Sequence, residues 1–449
     1  MNLKNTFDRL FFVKLPKWIT VIFMVGVLLF FIQCKSDVEV TPYLIQEIDY
    51  TRFLPELKVN DIFQEKVANT TAPKVLDTLG TVTKDEIVVT KIHFESVVDK
   101  DRINKLFAYL IRPKGKTNLP AILILHGGAQ TSDNYFDLGI QFAKRGYACL
   151  IPDLPGFASP ESANRNGTGS TGKWTAFPYG AKHFEVMPTG RNCVIYEGVV
   201  AALQAFYLLK SQPFVNPDAI GIRGLSWGGY ATTITTALLG KQVKAGFAVF
   251  GSGFYDLPSY FKSILDQMDT ESRNIWLSSL DAGRYADRIQ SPFYFMAASN
   301  DTYFHAPAVM TTYDRIKGPK YILFAPNSDH NLTNVPEAQN TEFAFFDYYL
   351  KNIGEDLPLV SGMSANRQTD GSVNFEFELR SNRKIKEVKL WYSSGEYDWM
   401  KKKWKSKVAE PLGNLRFKTA LPADVVLANG NWYVIVTDEK QVSNGTKIF

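Results

Sequence analysis

The stretch Gly221-Ile-Arg-Gly224-Leu-Ser226-Trp-Gly228-Gly229-Tyr constrains this chain more than any other. It frames a serine between two glycines, as Gly224-Leu225-Ser226-Trp227-Gly228. The run before it, Ala219-Ile-Gly-Ile-Arg, is strand-like, and the run after it, Tyr230-Ala-Thr-Thr-Ile-Thr-Thr-Ala-Leu-Leu, suits a helix. A serine on so sharp a strand-to-helix turn occupies strained backbone, and a Cβ at either glycine would collide with a neighbouring element. The pattern implies a sheet backed by helices, with a hydroxyl presented at the end of one strand.

The surrounding chain keeps that rhythm. Pro120-Ala-Ile-Leu-Ile-Leu125 is a continuous apolar run ended by His126-Gly127-Gly128, as expected of a strand covered on both faces. Strand-like and helix-like runs then alternate through Tyr135–Arg145, Ala148–Pro152, Val194–Lys210, Ala219–Leu225, Tyr230–Gly240, Ala245–Phe250, Pro292–Ala298, Ala308–Lys317, Lys320–Phe324 and Glu342–Leu350. Such alternation predicts an α/β fold with a mostly parallel sheet flanked by helices. An antiparallel pair, Glu86–Phe94 and Lys105–Arg112, is expected to open it, with His93 structural. Two segments break the rhythm, Asp153–Arg191 and Phe254–Gln290. The second carries Tyr255, Tyr260, Phe261, Trp276 and Tyr285. Both follow strand ends on the side where ligands bind open α/β sheets, and are expected to wall and cover a cleft.

From about residue 356 the pattern turns to β. Val373-Asn-Phe-Glu-Phe-Glu-Leu alternates strictly, and short strands joined by Ser-Asn, Ser-Gly and Asn-Gly turns predict a small β-sandwich. The expected division is a signal segment over 1–33, a linker and N-terminal extension over 34–84 with a short helix near Tyr43–Leu57, a catalytic domain over 85–355 and the sandwich over 356–449. In the last, Trp391 and Trp432 are read as core, and the run Lys401, Lys402, Lys403, Lys405, Lys407 as a solvated hairpin, with glycan binding by the domain's aromatics and lysines as the alternative. The domain as a whole is expected to pack beside the cleft.

Residues 1–33 set four basic side chains against Asp8 and then run uncharged from Trp18 to Ile32, with Gln33 between that run and Cys34. Fifteen uncharged residues suit a signal h-region better than a stop-transfer helix. A cysteine at that place resembles a bacterial lipoprotein site, so Cys34 is the expected lipidation site, with an uncleaved signal anchor as the alternative. Either reading exports the protein to the bacterial cell envelope, with the outer membrane the favoured address, and tethers it to a membrane. Of the net charge of +5, only +2 remains outside that segment, which argues against a nucleic-acid partner. Cys149 and Cys193 are the other cysteines; one disulfide between them is allowed, and no C-x-x-C metal signature or cofactor motif exists.

A serine hydroxyl needs a neighbouring base, and the base needs an acid to orient it. Asp301 ends the apolar run Phe295-Met-Ala-Ala-Ser-Asn-Asp301 and is the acid candidate, with Asn300 beside it. His330 ends Ile322-Leu-Phe-Ala-Pro-Asn-Ser-Asp-His330 and is the base candidate, with His305 in reserve and Asp329 read as a turn residue. The order Ser226, Asp301, His330 is the one this strand–turn–helix context predicts. An oxyanion would be bound by the backbone N–H of Trp227 and that of Gly128, with Ala129 as second choice. His126 is read as a loop brace.

With these residues in place the chain resembles the α/β-hydrolase superfamily over about residues 85–352. Its closer likeness is to acetylxylan esterases, dienelactone-hydrolase-like proteins and pathogenicity-related hydrolases. That likeness is carried by Ala245-Gly-Phe-Ala-Val-Phe-Gly-Ser-Gly-Phe and Lys317-Gly-Pro-Lys-Tyr-Ile-Leu-Phe-Ala-Pro-Asn. The resemblance implies a carboxylic ester hydrolase needing no cofactor, although the C-terminal β-domain departs from the simplest acetylxylan esterases. Surface tethering and an aromatic-rich cleft point to an acylated, most simply acetylated, glycan as the substrate. Ser226-Trp-Gly-Gly-Tyr230 also resembles the serine motif of prolyl-oligopeptidase-type peptidases, which makes a peptidase or amidase the alternative enzyme. A hydrolase-fold binding protein without activity is the alternative outside enzymes.

Overall fold

A computed structural model describes residues 41–42, 45, 47, 49–158, 168–175, 181–427 and 430–449. The expected signal segment and Cys34 lie outside them. The chain opens with β1 (Thr41–Pro42) and α1 (Gln64–Ala68), followed by an antiparallel meander of β2 (Val75–Lys84), β3 (Ile87–Asp99) and β4 (Arg102–Pro113). Next come β5 (Leu119–Leu125), α2 (Phe136–Lys144), β6 (Ala148–Pro152), α3 (Val194–Lys210), β7 (Val215–Leu225), α4 (Trp227–Leu239) and β8 (Ala245–Val249). Three short helices, α5 (Tyr260–Leu265), α6 (Thr270–Ser279) and α7 (Ala282–Tyr285), fill the second insertion. β9 (Phe293–Ala298), α8 (Ala306–Arg315), β10 (Lys320–Ala325) and α9 (Ala338–Lys351) complete the first domain.

Nine of these strands form one sheet in the order β10-β9-β8-β7-β5-β6-β4-β3-β2. The run from β10 to β6 is parallel and the run from β6 to β2 antiparallel. Helices cover both faces, so β8 and β9 are buried along their whole length, which is why they read as unbroken apolar runs. No described helix is long and apolar enough to cross a membrane.

The C-terminal part is a separate domain of two antiparallel sheets. Its strands are β11 (Leu359–Arg367), β12 (Val373–Arg380), β13 (Ile385–Ser393), β14 (Lys405–Val408), β15 (Glu410–Gly413), β16 (Arg416–Leu421), β17 (Asn431–Asp438) and β18 (Ser443–Gly445). One sheet runs β1-β11-β12-β16-β15 and the other β14-β13-β17-β18. Phe375, Phe377 and Leu379 of the first meet Val388, Leu390, Trp432 and Val434 of the second in a shared core. Trp432 fills that core as expected, but Trp391 packs instead against the large core of the first domain. Trp404, Tyr433, Ile435 and Val442 also belong to the large core, so the two domains are joined by apolar packing. Within the expected solvated lysine run, Lys402 is buried and its ammonium donates to the carbonyl of Glu396.

The structure corrects the reading of the N-terminal extension and decides the state of the cysteines. The 75–84 stretch, read as linker, is β2 of the main sheet; Leu76 and Leu79 are left unpaired at two register shifts, and these blur the period-2 signal. The helix expected near Tyr43–Leu57 is reduced, among the described residues, to a single turn at Thr51–Phe53, because Pro55 and the extended Leu54 stop it. The N-terminal extension also reaches across to give β1 to the C-terminal domain, pairing Thr41 with Arg367. Cys149 and Cys193 are both free buried thiols, and the Cys193 sulfur donates to the carbonyl of His183 at 2.9 Å. Burial pushes the Cys193 thiol up to about 12 and the Cys149 thiol higher still.

Candidate active site

Ser226 stands between β7 and α4 with φ 58° and ψ −120°, a backbone geometry that non-glycine residues rarely take. Its own N–H is tied to the carbonyl of Val249 at 2.8 Å, which anchors the turn to the next strand. The flanking glycines are required by space. A Cβ on Gly224 would lie 2.1 Å from the carbonyl oxygen of Gly228, and one on Gly228 would lie 2.2 Å from that of Leu125.

Loops after two neighbouring strands bring the other groups to this serine. Asp301 follows β9 and His330 follows β10, so the parallel order β7-β8-β9-β10 aligns all three strand ends on one edge of the sheet. His330 Nε2 lies 2.9 Å from Ser226 Oγ, and His330 Nδ1 lies 3.1 and 3.0 Å from the two carboxylate oxygens of Asp301. Asp301 is buried and its Oδ1 also accepts from the N–H groups of Tyr303 (2.8 Å) and Phe304 (2.9 Å). It therefore caps a turn and holds the imidazole together. Phe250 covers the imidazole at 4.4 Å between ring centroids, and Tyr303 meets it edge-on at 5.0 Å.

The neighbours take other work. Asp329 Oδ1 accepts from the N–H and hydroxyl of Thr302 at 2.8 and 2.7 Å, tying the loop of His330 to that of Asp301. Burial opposes the charged form of Asp329, but the Thr302 hydrogen bonds outweigh it and leave the carboxyl below its ordinary range. The reserve base His305 is turned to the carbonyl of Thr302. Burial pushes its imidazole toward the neutral form. His126 is the loop brace that was expected. Its Nε2 accepts from Leu154 N–H at 2.8 Å, so the ring proton sits on Nδ1 and is donated to the carbonyl of Gly127 at 2.8 Å. Complete burial keeps this ring neutral.

A cleft of about 340 Å³ opens over Ser226, lined by Gly128, Gln130, Trp227, Phe261, Tyr303 and His330 among others. Gln130, which sequence reasoning passed over, fixes one wall: its Oε1 accepts from Gly127 N–H at 3.0 Å and from the Tyr135 hydroxyl at 2.8 Å. Ala129 has a positive φ of 59° and its N–H goes to the carbonyl of Phe157 at 2.6 Å, which turns that donor away from the cleft. A larger trough of about 600 Å³ lies between the β2–β3 hairpin and α2, but it holds no nucleophile–base pair among its lining residues.

The aromatic second insertion is more packed than expected. Tyr255, Phe261, Trp276 and Tyr285 are buried, and only Tyr260 among the five is substantially exposed, at 47%. Trp227 carries that packing to the nucleophile turn, with Phe261 at 5.2 Å and Phe157 at 5.7 Å between centroids. A buried charge cluster holds the insertion in shape. Arg284 binds both oxygens of Asp256, at 2.7 and 3.3 Å, and Asp281 accepts from Phe254 and Tyr255 N–H at 2.8 and 3.0 Å.

Residues 120–276 match the family described as the alpha/beta hydrolase fold, and residues 233–399 match the PhoPQ-activated pathogenicity-related protein family. No curated protein matches the chain. The chain is similar in fold to acetyl xylan esterase 1 from Thermoanaerobacterium sp., with a TM-score of 0.54 at 16% identity over 67% of this chain and 98% of that one. Its similarity to the acetyl xylan esterase from Paenibacillus sp. R4 has a TM-score of 0.50 at 17% identity, over 67% and 98%. The chain thus carries an α/β-hydrolase superfamily domain related to PhoPQ-related proteins, followed by a β-domain.

Proposed function

We propose that this chain is a serine esterase in which Ser226 is the nucleophile, His330 the general base and Asp301 the orienting acid. The observation that carries this reading is the continuous line of contacts from Ser226 Oγ through the two ring nitrogens of His330 to the Asp301 carboxylate. In the reaction, Ser226 Oγ attacks the ester carbonyl and passes its proton to His330 Nε2. Asp301 stabilises the resulting imidazolium from the other side. The negative charge that develops on the carbonyl oxygen is met by the N–H groups of Gly128 and Trp227. Collapse expels the alcohol, which takes the proton back from His330. A water molecule, deprotonated by the same imidazole, then releases the acid and restores the serine.

Acyl groups on polysaccharide are the proposed substrates. Tyr303 supports this, since it lines the cleft and is 37% exposed, and Tyr260, 47% exposed, meets its ring at 5.3 Å between centroids. Partly exposed aromatic faces of that kind suit stacking against sugar rings. The test is to compare hydrolysis of aryl acetates, acetylated glycans and peptide amides by the purified protein and by Ser226→Ala. Esters should be cleaved by the wild type alone; cleavage of amides in preference to esters would contradict the reading.

We also propose that Cys34 is lipidated and that the protein works tethered in a bacterial cell envelope, a reading that rests on the sequence. Cys34→Ser should release the protein from membranes or leave it unprocessed. Failure of the wild type to take up labelled fatty acid would contradict it.

A further inference from the structure

Asn300 and Asn327 flank the two loops that converge on Ser226, and both are held by the same short segment of the C-terminal domain. The Asn300 side-chain NH₂ faces three carbonyls, those of Trp399 (3.2 Å), Met400 (3.2 Å) and Lys402 (2.7 Å). Asn327 exchanges a reciprocal pair with Trp404: its Nδ2 donates to Trp404 O at 2.8 Å and its Oδ1 accepts from Trp404 N–H at 2.8 Å. Inside the first domain the two asparagines are joined through Ser299. Its hydroxyl donates to Asn300 Oδ1 at 2.6 Å and accepts from Asn327 N–H at 3.0 Å. Asn300 is the residue before Asp301, and Asn327 stands three residues before His330.

The gripping segment is itself stiff. Trp404 is buried and meets Tyr433 at 4.9 Å between ring centroids. Asp398 caps the turn through Met400 N–H at 3.0 Å and pairs with Lys401 at 3.0 Å, and the buried Lys402 is tied to the carbonyl of Glu396. The domain is also held at a site away from this grip. A second polar contact lies at β18, where Asn444 accepts from Ile322 N–H at 3.2 Å and donates to Pro358 O at 2.9 Å. There Ser443 N–H also donates to Thr341, and the Tyr294 hydroxyl donates to Ser443 O. The side-chain contacts of Asn300 and Asn327 are thus additional to those at β18, and they fall on residues adjoining the acid and the base.

We propose that the C-terminal β-domain is a working part of the active site, with its 399–404 segment fixing the separation of the Asp301 and His330 loops and Asn300 and Asn327 as positioning residues. This rests on the esterase reading above for its consequence in turnover, though not for its consequence in geometry. A proton relay tolerates displacement of only about 0.5 Å, and a 1 Å misplacement can cost about 10²-fold. Asp301 keeps its bonds to Tyr303 and Phe304 N–H when the grip is lost, so the loss should be partial.

The experiment uses the full chain with Asn300→Ala, Asn327→Ala, the double variant, and Asn444→Ala as a docking control. For a small aryl acetate, kcat per folded molecule should fall about 10–100-fold in each of the first two while KM stays within about twofold. The double variant should be no worse than about the weaker single, because the two act on one unit. Asn444→Ala should keep kcat within about threefold of wild type. A second readout needs no turnover: the low-field proton NMR signal of His330 Nδ1–H, identified by its absence in His330→Gln. It should persist in wild type and Asn444→Ala and broaden in Asn300→Ala and Asn327→Ala. If the wild type cleaves no ester, the proposed function fails while this signal still decides the positioning role. If either alanine variant does not fold, Asn300→Ser and Asn327→Ser are read in the same way. A signal and a kcat in the asparagine variants that match those of Asn444→Ala would overturn the proposal.

Discussion

Gly228 lies so close to the carbonyl oxygen of Leu125 that an added Cβ would stand 2.2 Å from it, and 2.6 Å from the carbonyl of His126. The helix carrying the nucleophile turn and the loop leaving β5 are therefore in backbone-to-backbone contact. The two N–H groups proposed to receive the oxyanion, those of Trp227 and Gly128, come from these two segments.

Gly228→Ala should accordingly disrupt both at once. The clash is with main-chain atoms of a central strand, which cannot rotate away, so the cost is on the order of 3 kcal/mol or more. Thermal melts should show a marked drop or an insoluble product. A soluble variant with an unchanged melting temperature would show that the contact is looser than described.

Asp301→Asn should keep the fold and lower esterase turnover by about 10³–10⁴-fold, because an amide cannot hold the imidazole in the tautomer that accepts from serine. Ser226→Ala and His330→Ala should each cost at least as much, and the triple variant little more than the worst single. Near-normal activity in His330→Ala would move the base elsewhere, with His305 the first suspect.

Asp347 of α9 gives a pH-dependent prediction. Burial raises its pKa, but hydrogen bonds from Lys351 (2.8 Å), Arg145 and Tyr147 (2.9 Å) outweigh that and hold it below the ordinary carboxylate range. A depressed carboxyl contributes stability that is fully present above its unfolded pKa of about 4 and is lost as pH falls through the lower folded value. Asp347→Asn should therefore be less stable by on the order of 1–2 kcal/mol at neutral pH. Denaturant melts across pH should show the difference closing as pH falls below the ordinary carboxylate range. A constant difference at all pH values would sink this explanation.

Much of the first domain was legible because its signals are local. Ser226, Asp301 and His330 each sit on a loop that directly follows an apolar strand, and neighbouring parallel strands put such loop ends side by side. The strict alternation of Val373–Leu379 likewise survives as the buried and open faces of β12. What could not be read depends on partners far away in the chain. Asn300 and Asn327 look like ordinary turn residues until the carbonyls of Trp399, Met400, Lys402 and Trp404 arrive from the other domain. Gln130 gains its role only when Gly127 N–H and the Tyr135 hydroxyl converge on one oxygen. β1 is two residues long and exists only because β11 is there to pair with it. The aromatic residues of the second insertion suggest a cleft surface by their position after a strand end, whereas mutual packing against Trp227 buries most of them.

The most direct measurement is mass spectrometry of the intact protein after reaction with a fluorophosphonate, followed by peptide mapping. One equivalent of label should be found on Ser226, with esterase activity lost in proportion, and labelling should be greatly slowed in His330→Ala. Absence of label, or a label on another residue while Ser226→Ala still cleaves the ester, would contradict the account.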